Sequence, residues 1–358
     1  MGKGDGLNLE KQGLDLFNSL KGVDVLVTGH DHSTKVLKTD STVLLDCGRA
    51  GQYACLADIK LVVRGGKVIS RSLSGEVESF GSENYDTAME EAFKSDYEKV
   101  RDFNASHVGE VKKDLVSREF YYRQCDYMTF LHALAFSAWP VDISLSATLL
   151  IDGKVPAGEV RYQDIRKIYP YDNKLIVLRL TGAEILRYLE ASYDAWISTV
   201  PGPAEGTHVL RIIQTKDYAT GGLKWKLAKS PANFDSAAGI RYTVDVTKPY
   251  GSRGTVSGMA DGSPFEMDKD YSVAITSYRS TGSGGLMKAA GLMEGRSGED
   301  RIIYRGPEFR TILYRYLKKH GSSDPAVVGD PNVVGSWRFV PDFAPEAIKA
   351  DVELIYGK

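Results

Sequence analysis

Ile168–Trp196, IYPYDNKLIVLRLTGAEILRYLEASYDAW, decides how this chain is read. Lys174–Leu180 is an apolar strand. Thr181-Gly182-Ala183-Glu184 then has the form of a capping box, in which the threonine oxygen and the glutamate satisfy the first free amides of a helix. That helix carries Leu186, Leu189, Tyr193 and Trp196 on one side. Moving outward, Tyr127–Trp139 is apolar on most sides and reads as a buried helix. Tyr242–Val246 and Tyr271–Ser277 read as strands. Pro307 fits the first turn of a helix that runs to Gly321 as its C-cap. Ser198–Pro231 has no clear period and reads as a long loop. Helices and strands mix without strict βαβ alternation, so the fold class is α+β.

Upstream, residues 1–78 form a smaller unit. A polar start leads into an amphipathic helix, Leu9–Leu20, and Val23–Thr28 follows as an apolar strand. A helix feeding a buried strand belongs to the middle of an α/β layered domain, so the chain is expected to begin inside one. Ser41–Cys47 is a further strand. Leu56–Val63 and Lys67–Leu73 flank Arg64-Gly65-Gly66 as a hairpin. Residues 79–106 hold a linker helix, about Asp86 to Asn104. Thr87 and Glu90 form its capping box, and Met89, Phe93, Tyr97, Val100 and Phe103 make one apolar stripe. Residues 107–358 make the larger domain.

A length of 358 residues fits two domains of about 150 each. Lys+Arg is 45 against Asp+Glu 47, a net charge of −2, which argues against a nucleic-acid polymer as partner. No apolar run reaches the roughly 20 residues of a membrane helix. The start shows no signal-peptide pattern. Cys47, Cys55 and Cys125 lack CxxC spacing and allow at most one disulfide. No oligomeric state follows from these features.

The sharpest chemical signal is Gly29-His30-Asp31-His32, directly after the Val23–Thr28 strand. Two imidazoles two residues apart can reach one metal cluster, and neutral imidazole suits zinc, manganese and iron. Two ligands do not complete a site, and the plain alternative is a pair of polar loop histidines. His132, in an apolar helix, reads as a satisfied core histidine. The glycine-rich Thr281–Leu286 lacks the lysine and the strand-to-helix context of a P-loop and reads as a tight turn.

These residues carry a family resemblance. The strand ending in GHDH resembles the last metal-binding motif of the calcineurin-like metallophosphoesterases. The larger domain resembles the C-terminal domain of the bacterial 5'-nucleotidase and 2',3'-cyclic-nucleotide 2'-phosphodiesterase family. Ile168–Asn173 running into Leu180-Thr181-Gly182 carries it, as do Asn233-Phe234-Asp235 with Gly239 and Tyr242–Thr247. Tyr278-Arg279-Ser280 with Gly282, Gly284 and Gly285 completes the set.

The resemblance implies a C-terminal 5'-nucleotidase-type domain, preceded by a linker helix and an incomplete metallophosphoesterase α/β sandwich. It implies a parent enzyme with a divalent metal pair, zinc or manganese, and His30 and His32 match two of its ligands. The other ligand motifs are expected before Met1, so the chain alone is expected to be inactive, with no catalytic residue of its own. Tyr171 and Tyr278 match the rings that stack a nucleobase, and Asn173 matches a polar residue toward its edge. Such stacking is worth roughly 1–3 kcal/mol per base. The plain alternative is two ordinary tyrosines among 20. The phosphate-holding arginines of the 5'-nucleotidase branch have no counterpart in Ser144–Gly153. Arg118 is the nearest substitute and Arg123 a weaker one. The implied ligand is a nucleotide or nucleoside, and the implied location is periplasmic or cell-surface. A stand-alone, non-catalytic nucleoside-binding module is the alternative function.

Overall fold

The computed structural model describes residues 13–29, 32–81, 86–204, 206–216, 221–293, 298–323 and 337–357. They fall into two compact units, residues 1–97 and 98–358. The smaller unit contains α1 (Gly13–Ser19), β1 (Val25–Thr28), β2 (Thr34–Lys38), β3 (Val43–Cys47), β4 (Tyr53–Arg64) and β5 (Lys67–Ser79). Strand β3 is central, parallel to β1 and antiparallel to β2. Its Val43 and Leu45 pack with Leu73 of β5 in a small core. Strands β4 and β5 form the expected hairpin, and Gly65 and Gly66 at φ 55° and 74° make its turn. Of the expected first helix, residues 9–12 lie outside the described residues.

Helix α2 (Thr87–Asn104) spans the division between the units. The Asp86 carboxylate accepts the amides of Ala88 and Met89, at 2.9 and 3.1 Å. Asp86 therefore caps this helix, and the Thr87–Glu90 box is corrected: the residue one step earlier offers a better acceptor. The five residues of its apolar stripe are all more than half exposed.

The larger unit contains β6 (His107–Val111), β7 (Leu115–Val116), α3 (Asp126–Ala138), β8 (Ile143–Ala147), β9 (Lys154–Val155) and β10 (Gly158–Arg161). Next come α4 (Ile165–Ile168), β11 (Lys174–Thr181), α5 (Gly182–Trp196), β12 (Ile212–Lys216), β13 (Leu223–Leu227) and β14 (Asp235–Ala238). Then follow β15 (Ile240–Asp245), β16 (Gly254–Met259), β17 (Asp270–Thr276), α6 (Ser277–Ser280) and α7 (Leu286–Ala289). The unit ends with β18 (Ile302–Glu308), α8 (Phe309–His320), β19 (Trp337–Val340) and α9 (Phe343–Tyr356).

A mixed five-stranded sheet in the order β14-β8-β17-β11-β18 is the frame. Leu175–Leu178 of β11 are buried without a break, so both faces of that strand are covered. His132 of α3 bonds Ser144 of β8, while Tyr188 of α5 bonds Asp235, which pairs opposite Ala147 of β8. Ser144 and Ala147 have opposite parity along a strand of period two, so α3 and α5 cover opposite faces. The Thr181–Glu184 capping box forms as expected. A second sheet, β16-β15-β19, packs near a buried aromatic cluster that includes Trp196, Phe234 and Trp337.

Two sequence expectations are overturned here. The segment 198–231 is not all loop, because β12 and β13 form an antiparallel hairpin. Its signal was the alternation of Leu223, Trp225 and Leu227 with Lys224 and Lys226. Pro307 lies in β18 rather than in a helix. That strand is the sheet edge, where a missing N–H costs little, and the helix starts two residues later. Gly321 does cap it, at φ 74°.

Cys47 and Cys55 are disulfide-bonded, and Cys125 is a buried thiol pushed up to about 12 by burial. Native chain treated with N-ethylmaleimide at pH 8 is expected to take no label, because the thiolate is the nucleophile. Unfolded and unreduced, it is expected to take one label, read by intact mass. Two or more labels without reductant would contradict the disulfide.

Candidate functional site

Register brings the site together. Leu175 near the start of β11 pairs with Thr276 at the end of β17. The turn before β11 and the turn after β17 therefore lie side by side, and the Lys174 amide donates to Ser277 Oγ at 3.0 Å across them. Strand β8 runs parallel to β17, and Asp235 at the start of β14 pairs with Ala147 at the end of β8. Four strand ends thus meet at one edge of the sheet.

A cavity of about 280 Å³ opens at this edge. Tyr171, Asn173, Asp235, Tyr278 and Arg279 line it with Ser146, Leu149 and other small or aliphatic residues. Tyr171 and Tyr278 are each 46% exposed, so both rings keep surface available to a ligand. The Tyr171 turn is clamped by Arg310. Its Nε donates to the Tyr169 carbonyl at 3.0 Å, and its two terminal nitrogens donate to the Pro170 carbonyl and Asp172. Tyr169 is buried and lies flat on Phe309, with ring centroids 5.1 Å apart. Burial pushes its phenol pKa up, against a lowering hydrogen bond with the Asn173 side chain.

Asp235 and Arg279 form a buried ion pair, 1% and 3% exposed. Arg279 Nη2 lies 2.7 Å from Asp235 Oδ1 and Nε lies 3.0 Å from Oδ2. The same guanidinium donates to Asn233 Oδ1 at 2.9 Å, to the Ser283 carbonyl at 3.3 Å and to the Ala232 carbonyl. Burial works against its charge, but Asp235 outweighs that and raises the pKa. The Tyr188 hydroxyl also donates to Asp235, and burial holds that phenol protonated.

Of the residues singled out in the sequence, Tyr171, Asn173 and Tyr278 share this cavity. Arg118 is not among the residues lining it. Its guanidinium grips Asp152 at 2.7 and 2.9 Å and donates to the Gly357 carbonyl at 2.8 Å. A fork so engaged ties Gly357, just past α9, to Asp152. Arg123 is paired with Glu119. His32 is exposed, at φ 57°, while His30 lies outside the described residues. Among the described residues no three His, Cys, Asp or Glu side chains are placed to hold a metal. The described residues therefore do not make the implied metal site. No described helix is long and apolar enough to cross a membrane. Sequence reasoning missed Arg310 altogether, and it left Asp235 and Arg279 without a role.

The comparisons agree with this architecture. The model of the 5'-nucleotidase, C-terminal domain family matches residues 107–291. A 2',3'-cyclic-nucleotide 2'-phosphodiesterase/3'-nucleotidase of Haemophilus influenzae is 26% identical over 200 residues, 52% of this chain and 27% of that protein. A trifunctional nucleotide phosphoesterase protein of Bacillus subtilis, YfkN, is 21% identical over 364 residues, 87% of this chain and 23% of that protein. The chain thus spans about a quarter of the length of these curated relatives. A Staphylococcus aureus protein described as a 5'-nucleotidase has a similar fold, with TM-score 0.56 and 16% identity over 92% of this chain and 58% of that one. With the matched segment covering just over half of its residues, the chain belongs to the 5'-nucleotidase C-terminal domain family.

Proposed function

We propose that residues 107–358 are the substrate-binding domain of a nucleotide phosphoesterase, and that the cavity holds a nucleobase between Tyr171 and Tyr278. The observation that carries this is the meeting of those two half-exposed rings with Asn173 in one cavity, although they lie far apart in the chain. Every base has a π-face, so aromatic platforms bind bases without strong selection among them. Asn173 has an amide that can donate and accept toward a base edge.

The cavity's charged lining residues, Asp235 and Arg279, are paired with each other. A phosphate group therefore gains little here, and adenosine is expected to bind within about threefold of 3'-AMP, a difference below about 1 kcal/mol. In the whole protein we assign hydrolysis of 2',3'-cyclic nucleotides and of 3'- or 5'-nucleotides to a metallophosphoesterase domain ending in residues 1–78. His30 and His32 would belong to its zinc or manganese pair, and residues 79–106 would link the two domains. A periplasmic or cell-surface location fits the Cys47–Cys55 disulfide, since such bonds persist in oxidising compartments. A stand-alone nucleoside-binding module is the second reading. It is favoured by one fact: every lining residue lies between 145 and 279, within the larger unit.

Calorimetric titration of adenosine and 3'-AMP into the metal-free chain tests the site. Tyr171→Ala and Tyr278→Ala are each expected to weaken binding by about 5- to 150-fold, the loss of one stacking platform. Saturable binding unchanged in both variants would remove the base-stacking reading. With added Mn²⁺, the whole protein is expected to open 2',3'-cyclic AMP to 3'-AMP, read by chromatography, whereas a bare binding module leaves the cyclic nucleotide unchanged.

A further inference from the structure

We propose that Arg279, held by Asp235, is a positioning residue that fixes the Tyr278 ring as a binding platform. This rests on the base-stacking reading above and adds to it a device that sets the ring in place. The Arg279 guanidinium carbon lies 5.4 Å from the centre of the Tyr278 ring, within cation–π range. A ring has two faces, and one of them is backed by this cation. Tyr278 nonetheless keeps 46% of its surface exposed, so ring area remains for a ligand.

The cation itself cannot drift. Its nitrogens are bound to Asp235, Asn233 and the carbonyls of Ala232 and Ser283, from two separate stretches of the chain. Thr276 caps the short helix α6 by accepting the Arg279 amide at 3.3 Å, which holds the backbone next to Tyr278. Gly284 closes the arrangement. A Cβ there would stand 2.2 Å from Arg279 Nη1 and 2.3 Å from Asn233 Oδ1, so no larger residue lets the loop lie against the fork. Its φ of +74° also favours glycine. A side chain that binds by stacking gains from being immobile before the ligand arrives, because less ordering remains to be done.

A double-mutant cycle tests this with adenosine as the probe. Arg279→Lys keeps the charge but loses the fork, and is expected to weaken adenosine binding about tenfold in the wild-type background. In the Tyr278→Ala background the same change is expected to alter Kd by less than about twofold, because the ring it positions is gone. Equal loss in both backgrounds would overturn the proposal, since a merely structural defect is indifferent to Tyr278. No loss in the wild-type background would overturn it as well. Adenosine binding untouched by Tyr278→Ala alone would instead sink the base-stacking reading, a distinguishable result. Thermal unfolding confirms that each variant is folded. Should Arg279→Lys not fold, Gly284→Ala displaces the same fork while leaving both charges in place, and the same cycle is read with the same criteria.

Discussion

Asp235→Ala is expected to destabilise the larger unit by about 3–5 kcal/mol, the usual effect of removing one partner of a buried ion pair. The reason is what stays behind. Arg279 keeps its charge at 3% exposure and loses its carboxylate, and the Tyr188 hydroxyl loses its acceptor in a fully buried position. Asn233 and two carbonyls still accept from the guanidinium, so the hydrogen-bonding loss is partial, but the charge is unpaired. Asp235→Asn keeps an acceptor oxygen and is expected to cost less. Removing both charges together, as in Asp235→Leu with Arg279→Met, is expected to recover much of the loss, because the pair itself is not strongly stabilising once desolvation is counted. Urea unfolding of the three variants reads these differences. A loss below about 1 kcal/mol for Asp235→Ala would mean that water reaches the pair. The result bears on function because the same pair frames the cavity and backs Tyr278.

What the sequence disclosed and what it hid follow the range of each interaction. Local grammar was readable. The Thr181–Glu184 box satisfies amides within one turn, and the Gly65-Gly66 turn needs only its own two backbone conformations. Where two local grammars compete, the reading slipped. Asp86 and Thr87 can each cap a helix, and the carboxylate took the amides. A proline fits both a first helical turn and an edge strand, since both tolerate a missing N–H, and Pro307 took the edge.

Long-range pairing was not readable from spacing. Tyr171 and Tyr278 become neighbours only because β11 and β17 are antiparallel with Leu175 opposite Thr276. Only the family resemblance put them in one site. Arg118 illustrates the converse: a cation is visible in sequence, but the carboxylate that engages it, Asp152, is 34 residues away. Arg310 gave no signal, because its partners, the Tyr169 and Pro170 carbonyls and the Asp172 carboxylate, lie 138 to 141 residues earlier in the chain. His132 reads in the sequence as a satisfied core histidine, and in the structure it is half satisfied. Its Nδ1 meets Ser144 Oγ at 2.9 Å, and its Nε2 has no partner among the described residues.

That half-satisfied ring makes stability fall with acid. His132 is fully buried, and desolvation lowers its pKa to about 4, although Asp235 acts weakly in the other direction. Above about pH 7.5 the imidazole is essentially neutral in both folded and unfolded chains and contributes no pH dependence. Below that the unfolded chain takes up a proton that the folded chain refuses until about pH 4. The unfolded state therefore binds more protons in this window, and stability drops as pH falls through it. The accumulated loss is about 3 kcal/mol by pH 4. Protonation in place would bury a charge and leave a second N–H without an acceptor. Asp351 works the opposite way, because burial raises its carboxyl pKa despite the His208 hydrogen bond. That contribution is common to wild type and variant and cancels between them. His132→Asn keeps a polar group near Ser144 without a titrating ring. Urea unfolding at pH 7.5, 5.5 and 4.5 is expected to show wild type losing about 2–3 kcal/mol more than His132→Asn over that interval. Parallel pH profiles would mean that the folded core admits the protonated ring, and that a water or a shifted carbonyl meets Nε2.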